Sequence, residues 1–156
     1  MKIKIESTAF KEGQVIPKKH TDDGQDLSPA LTWSGLPAEA KELALICDDP
    51  DAPSAQPWVH WVIYKLPPTL TGLPEGVAKK AKLDDPAGAL HGKNSWGTLG
   101  YRGPAPPKGK VHHYHFKLYA LKAVVDLPAE LTKDELLKRI KDQVAAEGEL
   151  IGTYQR

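Results

Sequence analysis

Short runs rich in apolar residues recur along the chain and predict β-strands. Their ranges are Lys2 to Ile5, Leu31 to Trp33, Glu42 to Cys47, Trp58 to Leu66 and Val111 to Leu121. In most of these runs apolar side chains occupy both alternate sets of positions, and the two sets point to opposite faces of a strand. Strands that are apolar on both faces predict a central sheet that is covered above and below.

The pattern changes near the C-terminus, where apolar residues recur at helical spacing. The residues are Leu136, Leu137, Ile140 and Val144. Thr132 and Glu135 stand at the spacing of a capping box, in which the two side chains satisfy free amide groups of the first helical turn. We therefore predict one helix with Gly148 as its stop. Because helices do not alternate with strands as in a parallel nucleotide-binding sheet, the predicted fold class is mostly β.

Composition narrows the class of protein. The chain of 156 residues fits a single domain spanning 1–156, and 40% of its residues are hydrophobic. Its 21 Lys and Arg against 20 Asp and Glu give a net charge of +1, so no field of the whole molecule attracts nucleic acid or an anionic membrane. Apolar runs are too short for a membrane-spanning helix, and the N-terminus lacks the pattern of a signal peptide. We expect a cytoplasmic protein without a membrane span.

An acidic corner follows the third predicted strand, with the sequence Asp48-Asp49-Pro50-Asp51-Ala52-Pro53. Proline fixes its own backbone and biases the residue before it toward an extended conformation, so Asp49 and Ala52 are held in place. Two interpretations stay open. The corner is a rigid acidic site, or it is a structural turn in which Asp side chains accept bonds from backbone amides.

Histidines lie in two of the predicted strands. Strict alternation places His60 on the same strand face as Val62, where a lone histidine is more often a core residue than a ligand. In the last predicted strand, alternation sends His112 and Tyr114 inward with the apolar side chains. These two residues are the first inward-facing residues of the strand, and their imidazole and phenol groups are suited to the floor of a pocket.

A loop rich in glycine and proline runs from Gly97 to Gly109. Glycine lets backbone amides approach a ligand closely, and proline stiffens the chain that follows. Such a loop can present N–H groups to an anion. It has neither the lysine pattern nor the strand-to-helix context of a phosphate-binding loop, so it is a weak signal by itself.

These motifs, in this order, resemble the phosphatidylethanolamine-binding protein family, especially its bacterial and archaeal branch, which is often called Raf-kinase-inhibitor-like. The matching stretches are Ser28 to Pro37, Asp49 to Pro53, Trp58 to Trp61, Gly100 to Pro107, His112 to Tyr114 and Glu149 to Tyr154. The resemblance covers nearly the whole chain, and several ordered motifs are much more specific than any single one.

The resemblance implies a Greek-key β-sandwich of two antiparallel sheets, with a C-terminal helix and short peripheral helices. It implies a small pocket for phosphate, acetate or a phosphorylated head group such as that of phosphatidylethanolamine, with no settled enzymatic activity. Family members act by binding, as inhibitors of kinases or proteases or as signalling scaffolds, and prokaryotic members tend to be homodimers. The resemblance also suggests a cis peptide bond at Ala52–Pro53.

Two positions depart from the family pattern. His113 stands where the family usually has arginine, and Arg102 stands where prokaryotic relatives commonly have glycine. Both lie beside predicted site residues, so the resemblance does not fix the charge around the pocket or the choice of partner.

The hypothesis is a non-enzymatic protein that binds a small anion. We expect His60 and His112 to supply N–H donors, Tyr114 its hydroxyl, and the loop from Gly100 to Pro107 its backbone amides. The predicted ligand-binding residues are Asp49, Asp51, His60, Gly100, Tyr101, Gly103, Pro104, His112 and Tyr114. A carboxylate near a histidine favours the protonated ring, so binding is expected to tighten as pH falls.

The alternative is a metal-dependent hydrolase. Its ligands would be Asp49, Asp51, His60 and His112, with His113 and His115 as a second pair on the opposite strand face. Imidazole and carboxylate groups suit zinc or a related ion. The chain lacks an HExxH motif or comparable spacing, which favours the binding protein, and we predict neither a metal nor a cofactor.

Overall fold

The computed structural model describes residues 2–156, and most of its regular secondary structure is β-strand. The strands are β1 (Lys4–Glu6), β2 (Leu31–Ser34), β3 (Glu42–Asp49), β4 (Trp58–Leu66), β5 (Gly72–Leu73), β6 (Leu90–His91), β7 (His112–Leu121) and β8 (Val144–Tyr154). The helix α1 (Lys133–Ile140) lies between β7 and β8 in the chain, and short 3₁₀ turns occupy Lys18–His20 and Lys141–Gln143.

The strands form two sheets. The larger has the order β6-β4-β3-β7-β8, and the smaller has the order β1-β2-β5. Every pair of neighbouring strands within these sheets is antiparallel. The predicted fold class, mostly β with two antiparallel sheets and a short helix near the C-terminus, is confirmed.

The central strand β3 explains why the larger sheet is covered on both sides. All eight residues of β3 are buried. Leu45 belongs to a core shared with Leu31 of the smaller sheet, whereas Ile46 belongs to a second core shared with Leu136 and Ile140 of the helix segment. Alternate residues of one strand therefore face different layers, and the prediction of a sheet covered above and below is confirmed.

The helix begins as predicted but ends earlier. The Glu135 backbone N–H donates to the Thr132 hydroxyl at 3.3 Å, and the Thr132 N–H donates to the Glu135 carboxylate at 2.9 Å. The helix ends at Ile140, and both Val144 and Gly148 lie in β8, so the prediction that the helix continues to Gly148 is wrong. Among the described helices, none has the length and apolar character needed to cross a membrane.

Strand β8 replaces the end of the predicted helix because it pairs along the length of β7. The pairing runs from Val144 opposite Leu121 to Tyr154 opposite His112. Gly148 is explained by the approach of another segment, since a Cβ at this position would lie 2.1 Å from the Ile3 carbonyl oxygen. The hydrogen bonds that β8 makes with β7 thus outweigh the tendency of Val144 to continue the helical spacing.

The acidic corner after β3 is turned by side-chain and backbone bonds rather than by a cis peptide. Oδ1 of Asp49 accepts a hydrogen bond from the Asp51 N–H at 2.8 Å, and the Ala52 carbonyl accepts one from the Ser54 N–H at 2.8 Å. In the part of the chain that the structure describes, the cis peptide bond is Asp85–Pro86. The prediction of a cis bond at Ala52–Pro53 is therefore wrong.

Candidate functional site

A bulge in β4 turns His60 toward the space between the two sheets. Cys47 of β3 pairs with Trp61 of β4, and the next residue of β3, Asp48, pairs with Val59. His60 is therefore an extra, unpaired residue in β4. Its ring centroid lies 5.0 Å from that of Tyr114, which belongs to the core between the sheets. Strict alternation had placed His60 on the face of Val62, which belongs to the core on the other side, and that assignment is wrong.

Asp49 and His112 form a buried pair at neighbouring ends of β3 and β7. Oδ2 of Asp49 lies 2.7 Å from Nδ1 of His112, and the two side chains are only 4% and 2% exposed. Because a carboxylate accepts hydrogen bonds, the Nδ1 of His112 carries the hydrogen of this bond. The other ring nitrogen, Nε2, is left as the atom that can meet a ligand.

His60 is held by the loop that follows β6. Its Nδ1 lies 2.6 Å from the Arg102 carbonyl oxygen, and the Arg102 N–H donates back to the His60 carbonyl at 3.0 Å. Burial lowers the pKa of His60, although the bond to the Arg102 carbonyl opposes this effect. The neutral ring donates through Nδ1 and offers a lone pair at Nε2, so the expected N–H donor exists only in the protonated ring.

Tyr114 carries a buried hydroxyl that has no hydrogen-bond partner within residues 2–156. Burial raises the pKa of Tyr114, with the nearby Asp49 carboxylate acting in the same direction, so the phenol keeps its proton. Most buried polar groups in proteins are paired, and each exception calls for an explanation such as a bound water or ligand. This hydroxyl is therefore a donor available to a ligand.

These groups line a cavity of about 300 Å³. Its lining consists of Asp49, Ala52, Pro53, Ser54, Trp58, His60, Trp96, Ala105, Pro106, Pro107, His112 and Tyr114. Small-ligand sites typically combine mostly apolar walls with a few polar groups that fix the orientation of the ligand. The cavity has this composition, and its size suits a small molecule.

The structure brings four of the nine predicted ligand-binding residues to this cavity and places five elsewhere. The four are Asp49, His60, His112 and Tyr114; the five are Asp51, Gly100, Tyr101, Gly103 and Pro104. Only the later part of the loop from Gly100 to Pro107 lines the cavity, where Ala105 to Pro107 form one wall.

The earlier part of the loop makes bonds within the chain. The Tyr101 hydroxyl donates to the His20 carbonyl at 2.6 Å, and the Gly103 N–H donates to Oδ1 of Asp26 at 2.7 Å. A Cβ on Gly103 would lie 2.2 Å from the His20 carbonyl oxygen, so glycine is needed there for close packing. The Pro104 carbonyl accepts a bond from a backbone N–H of the same N-terminal segment.

The two residues that depart from the family pattern also have partners within the chain. The carboxylate of Asp51 accepts from the backbone N–H of His113 at 2.8 Å and lies 2.7 Å from its Nδ1. Burial alone would raise the pKa of Asp51, but the bonds to His113 outweigh it and lower the pKa. The Arg102 guanidinium lies 4.6 Å from the centroid of the Trp96 ring, which lines the cavity.

No group of three or more His, Cys, Asp or Glu side chains in the described part of the chain is placed to hold a metal ion. Asp51 binds His113, and His115 lies 3.1 Å from the Glu149 carboxylate. The residues named for the alternative hydrolase therefore do not form a metal-binding cluster.

Sequence reasoning missed the two tryptophans of the cavity. The rings of Trp58 and Trp96 meet edge to face with centroids 5.5 Å apart, and Trp96 also lies 5.2 Å from His60. Trp58 is two residues from His60, so its place beside a predicted site residue was an available signal. Nothing local marked Trp96, which reaches the site through the fold.

Arg156 holds the cavity wall formed by Ala105 to Pro107 in place, and the sequence contains no signal for this role. Its Nη1 donates to the Pro106 carbonyl at 3.3 Å, while Nη2 binds Asp23 at 2.9 Å and Asp22 at 3.1 Å. The wall is thus tied to the N-terminal segment through one guanidinium group.

Comparison with known sequences shows what this chain resembles. Residues 6–155 match the family model described as phosphatidylethanolamine-binding protein. A protein named UPF0098 from Methanothermobacter thermautotrophicus is 50% identical over 152 residues, which are 97% of this chain and 98% of that protein. A UPF0098 protein from Chlamydia trachomatis is 39% identical over 158 residues, with 99% of each chain covered.

Solved structures agree with the sequence comparison. Escherichia coli YbcL, described as a member of the mammalian PEBP family, superposes with a TM-score of 0.92 and 32% identity, covering 100% of this chain and 99% of that one. A putative phosphatidylethanolamine-binding protein homolog from Chlamydia trachomatis gives a TM-score of 0.88 at 38% identity, covering 99% and 98%. The ordered motifs, the paired sheets and these relatives agree: the chain belongs to the phosphatidylethanolamine-binding protein family.

Proposed function

We propose that the protein is a non-enzymatic binding protein whose cavity holds a small anion, such as phosphate or the phosphate of a phosphorylated head group. The observation that carries the proposal is the buried Tyr114 hydroxyl, which lacks a partner within residues 2–156. An anion oxygen would accept its hydrogen bond, and bonds to charged acceptors are stronger than bonds to neutral ones.

His112 provides a second donor at the cost of taking up a proton. Its Nδ1 hydrogen is already directed to Asp49, so Nε2 can donate to an anion only when the ring carries both hydrogens. The Asp49 carboxylate, 2.7 Å away, balances the positive charge that the ring then carries. Anion binding by this pair is therefore coupled to proton uptake.

His60 favours an anion that can also donate. In its neutral form the ring offers the Nε2 lone pair, because Nδ1 donates to the Arg102 carbonyl. Inorganic phosphate keeps at least one P–OH group near neutral pH and can donate to this lone pair, whereas sulfate only accepts. We therefore expect phosphate to bind more tightly than sulfate.

The test is a titration of the metal-stripped protein with phosphate and with sulfate, followed by NMR of the imidazole signals. Saturable shifts of His60 and His112 with phosphate, and weaker binding of sulfate, are expected. His91 is the internal control, because its Nδ1 lies 2.9 Å from the Lys80 carbonyl and its Nε2 accepts from Trp61 at 3.0 Å. Shifts that occur only after zinc is added would favour the metal-dependent alternative. No shift with phosphate at any concentration would refute the anion pocket.

Four further properties stay predictions: inhibition of a kinase or a protease, binding of phosphatidylethanolamine itself, formation of a homodimer and a cytoplasmic location.

A further inference from the structure

A second cavity adjoins the first at His112. It has a volume of about 370 Å³ and is lined by Pro50, Asp51, Ala52, Pro53, Pro107, Lys108, Lys110 and His112. Four residues line both cavities: Ala52, Pro53, Pro107 and His112. We call the first cavity the inner pocket and the second the outer cavity.

The residues that line the outer cavity carry more positive than negative charge. Lys108 and Lys110 are both exposed, and neither forms an ion pair with a carboxylate of residues 2–156. The carboxylate that lines this cavity, Asp51, is bound to the backbone N–H and the ring of His113. Two lysines and one carboxylate therefore line the outer cavity, and this leaves an excess of positive charge beside the inner pocket.

The two lysines are close to the inner pocket along the chain. Lys110 and Lys108 precede His112 by two and four residues. Two residues of chain span at most about 7 Å, the bends at residues 108–110 shorten this distance, and a lysine stem reaches across a similar distance. A ligand that places one group beside His112 would therefore bring a second group, a few bonds away, within reach of these ammonium groups.

We propose that the outer cavity binds a second acidic group of the ligand, so that the protein selects small phosphorylated compounds that carry a carboxylate over those that lack one. The proposal rests on the proposed function, because the inner pocket must hold the phosphate group first. A carboxylate that extends from the phosphate is attracted by Lys108 and Lys110, whereas an ammonium group in the same place is repelled. The two lysines are thus specificity-determining residues of the site.

Phosphoethanolamine and O-phosphoserine are the matched probes, because O-phosphoserine is phosphoethanolamine with one added carboxylate. Calorimetric titrations at low salt and about pH 6 compare the two probes, with inorganic phosphate as the reference, because about half of the phosphomonoester molecules keep a P–OH group at this pH. We expect the wild-type protein to bind O-phosphoserine about threefold to tenfold more tightly, which is the effect of two exposed cations on one added charge. Salt at about 0.5 M should reduce this preference by screening.

The double variant Lys108→Gln/Lys110→Gln tests the residues, with Lys41→Gln/Lys122→Gln as its control. Lys41 and Lys122 are exposed. Lys41 precedes β3 and Lys122 follows β7, at the ends of these strands that lie away from Asp49 and His112, so the control loses the same net charge far from the cavity. We expect the preference for O-phosphoserine to disappear in the first variant and to persist in the second. Thermal denaturation of both variants checks that these surface changes leave the fold intact.

The outcomes separate the two proposals. If the wild-type protein binds phosphate but binds both probes equally, or if the Lys108→Gln/Lys110→Gln variant keeps the preference, the outer cavity does not select the second acidic group. If the wild-type protein binds none of the three compounds, the anion pocket itself is refuted, and the inference falls with it.

Discussion

Replacing Tyr114 by phenylalanine removes one buried hydroxyl and keeps the ring. Tyr114 is 1% exposed, and its hydroxyl lacks a partner in the described chain. A buried polar group without a partner costs about 1 to 3 kcal/mol. We therefore expect the Tyr114→Phe protein to have an unchanged free energy of unfolding, or one raised by about 1 kcal/mol.

Ligand binding should respond in the opposite direction. A hydrogen bond from a hydroxyl to an anion contributes about 1.5 to 3 kcal/mol. Its loss weakens phosphate binding by roughly tenfold to a hundredfold. Urea denaturation measures the stability, and calorimetric titration with phosphate measures the affinity. An increase in stability combined with a loss of affinity is the signature of a hydroxyl that serves a ligand.

Tyr101→Phe is the matched control. The Tyr101 hydroxyl is buried like that of Tyr114, but it donates to the His20 carbonyl at 2.6 Å and lies outside the inner pocket. Its removal leaves a buried carbonyl with one bond fewer, so we expect a loss of about 1 to 2 kcal/mol of stability and no change in phosphate affinity.

Two results would refute this reasoning. A Tyr114→Phe protein that binds phosphate as tightly as the wild type would show that the hydroxyl does not contact the anion. A loss of stability as large as that of Tyr101→Phe would show that the hydroxyl is bonded within the folded protein rather than kept for a ligand.

Protonation and packing give three further measurable effects. In the proposed site Nε2 of His112 donates to the anion only when it carries a hydrogen, so calorimetry with acetate, whose charge is constant near neutral pH, should show affinity falling as pH rises; a flat profile would contradict the role of His112. Burial lowers the pKa of both His60 and His91 from 6.5, so the unfolded chain binds protons first as pH falls below that value. The free energy of unfolding is therefore highest above about pH 6.5 and falls below that pH, by up to about 1.4 kcal/mol per histidine and pH unit. Urea denaturation at a series of pH values measures this decrease, and a His91→Gln protein with an equally steep decrease would contradict the role of His91. Gly103→Ala should lose about 1 to 3 kcal/mol in thermal denaturation, because its Cβ would lie 2.2 Å from the His20 carbonyl oxygen, and an unchanged melting temperature would argue against this close packing.

The sequence predicts those features that depend on local pattern. Alternation along β7 predicts that His112 and Tyr114 face inward, and both are buried. The capping box at Thr132 and Glu135 predicts the start of the helix, because its bonds join residues three positions apart. In each case the physical cause lies within one strand or one turn, so the pattern contains the information.

The features that escape prediction depend on contacts between distant segments. His60 faces the pocket because of a bulge, and one extra residue reverses the face of every alternation argument beyond it. The helix stops short of Gly148 because β8 pairs with β7, which the spacing of apolar residues near Val144 does not reveal. Arg156 reaches the Pro106 carbonyl across 50 positions of sequence, and no local pattern announces such a bond.

Asp49 shows why the two interpretations of the acidic corner are not alternatives. A carboxylate beside an anion site is unfavourable if its oxygens face the ligand, yet both oxygens of Asp49 are occupied. Oδ1 accepts from the Asp51 N–H and shapes the turn, and Oδ2 binds the ring of His112, which lies 63 positions away in the sequence. The same side chain therefore fixes the corner and leaves Nε2 of His112 free of Asp49, and in the proposed function it also balances the charge that the ring gains. A turn alone requires only the first of these bonds, so the second is the one that joins the corner to the proposed binding site.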